Sequence, residues 1–342
     1  MLGKRRIKRQ GDRSSMTKIL VTGGTGFIGS ALVKRLLRDG HEVRVLDDNS
    51  RGATRRLQAE LQDFELVTGD IRDPEVVDSA LRGVDVVHHL AYVNGTENFY
   101  KAPERVLEIA VKGMMNVIDG AIKNEVSEIF LASSSEVYQH PERIPTDEAV
   151  QLVVPDVMNP RFSYGGGKII CELLAINYGR KFFDRICIYR PHNVYGPDMG
   201  WEHVIPQFVK RLQDLSKSHP KGLIQFPIQG DGSETRSFCF IDDFIDGVAL
   251  LQAKGEHLNV YHIGTLEEVR MNELAHLVAK TIGREINIVP GKLLQGSVAR
   301  RCPDIGKIEA LGYNPKMMLR SGVATTVEWY LKNFALIPAQ SN

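Results

Sequence analysis

The sequence predicts an α/β protein built on a doubly wound parallel sheet, with a smaller, discontinuous C-terminal domain. Three observations carry this. From residue 18 onward, short β-branched runs alternate with amphipathic stretches, the pattern of parallel strands covered by helices. A glycine-rich turn, Gly23 to Gly29, joins the first run to the first amphipathic stretch. Beyond about Tyr195 the texture changes, with Pro197, Pro206, Pro220 and Pro227 crowded among Gly200, Gly222, Gly230 and Gly232, which reads as a loop-rich second region.

Taken in order, Lys18 to Thr22 (KILVT) is a buried strand, and Ser30 to Asp39 a helix with apolar Ala31, Leu32, Leu36 and Leu37, ending near Gly40. Glu42 to Asp47 (EVRVLD) is the second strand. Further strands are expected at Phe64 to Val67, Val84 to Leu90, Glu128 to Ala132 and Arg185 to Tyr189. Each gap leaves room for a crossover helix. Right-handed crossovers wind the sheet both ways, with ligands at the carboxyl ends of the strands where the order reverses. Ile241 to Gln252 reads as an apolar helix, and Asn259 to Ile263 as a strand returning to the main sheet. The expected division is residues 16–196 plus about 237–264 for the first domain, and about 197–236 plus 265–342 for the second.

The 342 residues carry 43 Lys or Arg against 42 Asp or Glu and are 43% hydrophobic, which excludes a disordered or fibrous chain and leaves ample length for a core. No apolar run approaches the roughly 20 residues that span a bilayer, and the N-terminus lacks the apolar stretch of a secretion signal. The chain is expected in the cytoplasm. Cys171, Cys187, Cys239 and Cys302 stand far apart without a CxxC pair, and His88, His89, His203 and His262 lack a metal-ligand spacing. Reduced thiols and no metal site are therefore expected. Residues 1–15 hold Lys4, Arg5, Arg6, Lys8, Arg9 and Arg13 against Asp12 alone, a net +5 that leaves −4 for the rest of a +1 chain. Such a tail suits nucleic acid or an anionic membrane. Met16, however, stands directly before the first strand, so the tail reads as a disordered extension outside the fold, with neither of those partners.

Gly23-Gly24-Thr25-Gly26-Phe27-Ile28-Gly29 lies where a strand turns into a helix. Glycines there permit the tight turn and let the backbone N–H groups approach a pyrophosphate at the helix N-terminus, the Rossmann arrangement for a dinucleotide. Asp47 follows Gly29 by 18 residues and ends the second strand, where a carboxylate accepts hydrogen bonds from both adenosine ribose hydroxyls. With Asp48 beside it a 2′-phosphate is repelled, so NAD is favoured over NADP. Arg51, four residues beyond Asp47, is the nearby group that suits a phosphate instead. Asp70 and Ile71, after the third strand, either flank the adenine or belong to a solvated loop.

Tyr164 and Lys168 stand at i and i+4, so on a helix they share a face. A free phenol titrates at about 10, and bringing it near neutrality needs roughly 4 kcal/mol of preference for the phenolate. Lys168 and an oxidised nicotinamide can supply that together, making Tyr164 a general base toward a substrate hydroxyl. The intervening Gly165, Gly166 and Gly167 cost about 1 kcal/mol each in helix propensity, which makes sense where backbone or ligand passes close by. Ser133, Ser134 and Ser135 follow the strand ending at Ala132. A serine there can hydrogen-bond the oxygen that Tyr164 deprotonates.

Together these residues resemble the extended short-chain dehydrogenase/reductase family, especially its nucleotide-sugar epimerases, dehydratases and decarboxylases, over about Lys18 to Trp329. The glycine turn, with Gly23, Gly26, Phe27, Ile28 and Gly29, is similar to the family's cofactor turn; Asp47 matches its ribose carboxylate and Leu90-Ala91 its HLA segment beside the cofactor. Ser134, Tyr164 and Lys168 match the catalytic set. Asn193, in RPHNVYGP (Arg190 to Pro197), matches an asparagine that contacts substrate. Arg236 and Arg301 match two arginines on the nucleotide diphosphate, whose phosphate oxygens a guanidinium fork fits. The resemblance implies NAD, a nucleotide-diphosphate sugar and a homodimer formed by helices around Val106 to Ala121 and Gly167 to Tyr178. Three departures stand out: Ala110 before Val111 where Asn is usual, Gly167 where a small hydroxyl residue precedes the lysine, and Gln139 where glycine follows Tyr138.

The shared first step implied by the family is oxidation at the sugar C4. A 4,6-dehydratase would carry Asp-Glu after its catalytic hydroxyl; this chain has Ser135-Glu136, so the acid is missing. The family's uronate decarboxylases carry Ser-Glu there together with an arginine where Arg301 sits, with Ser135 toward the sugar and Glu136 among the catalytic groups. A 4-epimerase demands least and is the expected reaction, decarboxylation its rival. A non-catalytic binding protein of the same fold is the alternative of another class, and the joint presence of Ser134, Tyr164 and Lys168 argues against it.

Overall fold

The computed structural model describes residues 16–292 and 298–337; the basic tail lies outside them. Its first half runs β1 (Lys18–Thr22), α1 (Phe27–Arg38), β2 (Glu42–Asp47), β3 (Phe64–Thr68), α2 (Pro74–Leu81), β4 (Val86–His89), α3 (Thr96–Lys101), α4 (Pro103–Lys123), β5 (Glu128–Ala132), α5 (Ser163–Phe182) and β6 (Arg185–Pro191). There follow β7 (Val194–Tyr195), α6 (Val204–Ser218), β8 (Ile224–Ile228), β9 (Thr235–Ser237), β10 (Cys239–Phe240), α7 (Ile241–Lys254) and β11 (Asn259–Ile263). The chain closes with β12 (Glu268–Arg270), α8 (Met271–Ile282), β13 (Ile286–Pro290), β14 (Arg300–Arg301), α9 (Gly306–Glu309) and α10 (Leu319–Lys332).

Seven strands form one parallel sheet in the order β11-β6-β5-β4-β1-β2-β3. The order reverses between β1 and β4, which opens a crevice at their carboxyl ends. Burial on both faces explains the unbroken apolar runs. Ile19 and Val21 face a cluster with Leu32 and Leu36 of α1 and Phe244 of α7, while Leu20 faces the other, with Val77, Met114 and Ala175. The first cluster continues without a break into α6, α8 and α10, so the three small sheets, β10–β7, β12-β9-β14 and β13–β8, share the core of the large one.

Two local differences from expectation have physical causes. The β2–β3 crossover is a 3₁₀ stretch at Thr54–Glu60, not an α-helix. Only Leu57 of it is buried, and without a second apolar anchor one turn on nothing holds a longer helix to the sheet. The first helix starts at Phe27, not Ser30. The N–H groups at the end of the glycine turn are thus first-turn groups without intrahelical partners. No helix among the described residues is long and apolar enough to cross a membrane, and all four cysteines are free and buried.

Candidate active site

At the crevice the glycine turn leaves no room for side chains. Gly23 has φ +72°, a conformation glycine adopts freely, and a Cβ on it would lie 2.8 Å from the Ala91 nitrogen. A Cβ on Gly29 would collide with the Gly23 carbonyl oxygen. Asp47 is buried between this turn and the end of β2. Its Oδ2 accepts from the Thr25 N–H (2.9 Å) and its Oδ1 from the Asn49 N–H (2.8 Å), and each carboxylate oxygen retains further accepting capacity. Leu90 and Ala91 face the turn, their N–H groups both donating to Thr22 Oγ1 at 3.2 Å. Arg51 pairs with Glu202, so the group that suited a phosphate is held by a carboxylate. These residues fit a dinucleotide with a free ribose diol.

Ile71 lies three residues past β3. Its side chain is buried against α4, where Gly113 makes room for it, and its carbonyl accepts from Asn116 Nδ2 (2.9 Å). Its side chain belongs to the core, so only its backbone is available toward the crevice. Asp70 is held by Arg72 (Nη2 to Oδ2, 2.6 Å), whose hydrogen bond keeps the carboxyl below its usual range.

The helix α5 runs through all three glycines, and packing accounts for two of them. A Cβ on Gly165 would stand 2.8 Å from the Glu136 carbonyl oxygen, and one on Gly167 would strike the Tyr92 hydroxyl. Tyr164, in the first turn, is buried between the rings of Tyr92 and Phe99, each with its centroid 5.0 Å away. Its hydroxyl is hydrogen-bonded to Ser134, and Ser134 Oγ also accepts from the Glu136 N–H (3.1 Å). Lys168 Nζ donates to the Ala132 carbonyl (2.7 Å) and stands 3.9 Å from the Tyr92 ring centroid. The ammonium therefore meets a ring face rather than the Tyr164 phenol. Burial pushes Tyr164 up to about 12, despite the Ser134 hydrogen bond, and Lys168 down to about 8. The expected depression of the phenol is absent from the protein alone, because both groups lose water and their charges are not in contact.

At the far end of the crevice, Glu136 Oε1 accepts from Arg301 Nη1 at 2.6 Å. Burial opposes ionisation of Glu136, but the charge and hydrogen bond of Arg301 outweigh it and hold the carboxyl below its usual range. Arg301 on β14 is the direct strand partner of Arg236 on β9. Burial, and the neighbouring Arg301 charge, bring Arg236 down to about 10. Arg161, just before α5, adds its field to both Glu136 and Arg236 and has a buried Nε without a partner. Three guanidinium groups stand against two carboxylates, Glu136 and, beside Arg236, Glu234, which leaves one surplus positive charge that an anion would satisfy. Ser135 is buried at the head of the same 3₁₀ turn as Glu136. Asn193, at φ +41°, donates from Nδ2 to the Ser237 carbonyl (2.8 Å); it braces β6 against β9, a structural duty beyond the expected substrate contact.

Sequence reasoning missed the support behind these groups. Arg190 grips Glu172 of α5 through Nε (2.9 Å) and Nη2 (2.6 Å), and Ser133 Oγ donates to the same carboxylate. Arg190 also donates to the Tyr138 hydroxyl, which donates to His262 Nε2 (2.6 Å); His262 Nδ1 donates to the Asp304 carbonyl (2.9 Å). The carbonyl accepts only, which assigns the tautomer. This buried chain ties the serine loop, α5 and the Arg301 segment together. Its signal in the sequence was Glu172, an acid four residues after Lys168 on the buried side of a helix.

The NAD dependent epimerase/dehydratase family model matches residues 19–264. The chain belongs to that family. NAD is therefore its cofactor, and nucleotide-sugar enzymes are its relatives. It is 32% identical to UDP-glucuronic acid decarboxylase 2 of Arabidopsis thaliana, over 94% of this chain and 69% of that protein. It is also 32% identical to a putative UDP-glucose 4-epimerase of Methanocaldococcus jannaschii, over 92% of this chain and 99% of that one. The fold matches the dTDP-glucose 4,6-dehydratase DesIV of Streptomyces venezuelae, solved with NAD bound, at a TM-score of 0.83 and 31% identity, covering 93% and 98% of the two chains. Among the described residues no cluster of His, Cys, Asp and Glu could hold a metal ion.

Proposed function

We propose that this member of the family decarboxylates a UDP-uronate, in preference to the 4-epimerisation that the sequence argued as least demanding. The observation that carries the reading is the 2.6 Å pair between Arg301 and Glu136, because both charges act on Tyr164 and so lie at the reacting end of the crevice. A guanidinium there suits a C6 carboxylate. Glu136 tempers it: an unopposed arginine would bind the ground-state carboxylate strongly and oppose its departure as neutral carbon dioxide.

The cofactor, held by the glycine turn, Asp47, Leu90 and Ala91, would accept hydride from C4 and later return it, and its pyridinium charge would favour the phenolate. Tyr164, hydrogen-bonded to Ser134, takes the C4 hydroxyl proton. The resulting ketone is β to the carboxylate, so the C5–C6 bond breaks with its electron pair passing into the enolate, C6 leaves as carbon dioxide, and C5 takes a proton from solvent water while the Tyr164 proton returns to the C4 oxygen. Arg236 and Arg161 supply the positive charge for the diphosphate. Lys168 holds the cofactor side of the site, and Ser135 faces the sugar.

Incubation with NAD and UDP-glucuronate should release carbon dioxide and yield a UDP-pentose by mass and NMR. Loss of water would instead mean dehydration, against which Ser135 argues. A product of unchanged mass from UDP-glucose, with UDP-glucuronate untouched, would establish epimerisation; the near full-length match to the archaeal relative favours that second reading. A homodimer is part of the same proposal: α4 and α5 pack together and leave Leu107, Ile170 and Leu173 exposed. Light scattering at twice the 38.3 kDa chain mass is the expected result, and a monomer refutes it.

A further inference from the structure

We propose that Tyr92 is a positioning residue that holds the Lys168 ammonium against its ring face, in a slot that exists because residue 167 is a glycine. The effect on turnover rests on the enzymatic reading above; the placement itself rests on geometry. Tyr92 follows Leu90-Ala91 at the end of β4. Its hydroxyl donates to the Tyr164 carbonyl (3.2 Å), its ring meets the Tyr164 ring edge-on at 79°, and Lys168 Nζ stands 3.9 Å from its centroid. A Cβ on Gly167 would strike its hydroxyl and lie 3.0 Å from the Ala110 Cβ. One of the three departures from the family pattern, Gly167, therefore has a cause: the Tyr92 hydroxyl occupies the space that a side chain there would fill.

The ring answers a need. An ammonium has three N–H donors, and the Ala132 carbonyl takes one. The charged and titratable groups facing Lys168 are Cys171 and Glu172 on its own helix, His89 on β4, and Tyr92 and Tyr164. Cys171 is a thiol raised by burial to about 11, and Glu172 is already gripped by Arg190. His89 is held neutral by burial, at about 3. The Tyr92 phenol is itself kept protonated by burial, so its ring retains the negative face that attracts a cation.

The test reads the lysine directly in the full chain, without any sugar: ¹³Cε-lysine NMR titration, with the Lys168 signal assigned by its loss in Lys168→Arg. Tyr92→Phe should titrate as the parent does. Tyr92→Leu should lower the Lys168 midpoint by roughly half to one pH unit, a threefold to tenfold change in the protonation constant. Should the leucine variant not fold, trifluorophenylalanine at position 92 keeps the shape and removes the negative face; the same downward shift is expected relative to Tyr92→Phe. Equal midpoints for phenylalanine and trifluorophenylalanine would overturn the proposal. If no variant, nor the parent, acts on UDP-glucuronate, the decarboxylase reading fails while this titration still decides Tyr92.

Discussion

The two ends of the crevice are built from different materials. At the dinucleotide end, backbone and glycines from one short stretch, Gly23 to Gly29, make the surface, and Asp47 is the charge added to it. At the end proposed for the sugar, charged side chains converge from Glu136 and Arg301, 165 residues apart in the chain, with a buried ion pair between Glu172 and Arg190 behind them. The first end should resist changes of charge nearby but not the addition of a single methyl group. The second should tolerate changes of size better than the loss of one charge from a pair.

The largest effect tests where the two ends meet. Tyr164→Phe keeps the ring stack with Phe99 and removes only the proton acceptor; turnover should fall by roughly 10²–10⁴-fold while NAD titration by fluorescence is unchanged. Activity within a few-fold of the parent would dissolve the distinction between the two ends. Next, Arg190→Met strands the Glu172 carboxylate in the core, which should cost about 3–5 kcal/mol in denaturant unfolding, whereas Arg190→Met with Glu172→Met should regain much of it. A single variant as stable as the parent would show that the sugar end does not depend on charge pairing.

The methyl test is smaller and runs in opposite directions at two glycines. Gly29→Ala should cost about 1–3 kcal/mol and weaken NAD binding, since its Cβ meets backbone. Gly166→Ala, where the nearest atom is Val154 Cγ2 at 3.5 Å, should instead stabilise by up to about 1 kcal/mol. Thermal unfolding compares them, and equal responses would refute the backbone-contact account. The smallest effect is the alkaline limb of kcat/KM. In the proposed reaction Lys168 acts protonated, and burial brings it down to about 8, so activity should hold below that pH and decline as pH rises through it. A flat profile from about 7 to 9 would show that its charge is not required.

Much of this is legible in the amino-acid sequence. Lys18–Thr22, Glu42–Asp47, Glu128–Ala132 and Asn259–Ile263 are strands with the bounds expected, because apolar β-branched runs between turn residues have few other ways to be buried. Glycines 165 and 167 announced a close approach, though not its partner. Where the Ile71 side chain would point was not legible, since three residues past a strand it can turn toward the crevice or into the core, and that choice lay with Gly113 on another helix.

The strands, the glycine turn and the spacing of Tyr164 and Lys168 follow from the order of residues alone, since each rests on residues near one another in the chain. Only the tertiary structure decided that Lys168 rests on Tyr92, that Glu136 answers Arg301, and that Arg190 and Glu172 stand behind both. The strength of a charge pair depends on distance through space and on how much water is excluded around it, and neither quantity is written in the order of residues.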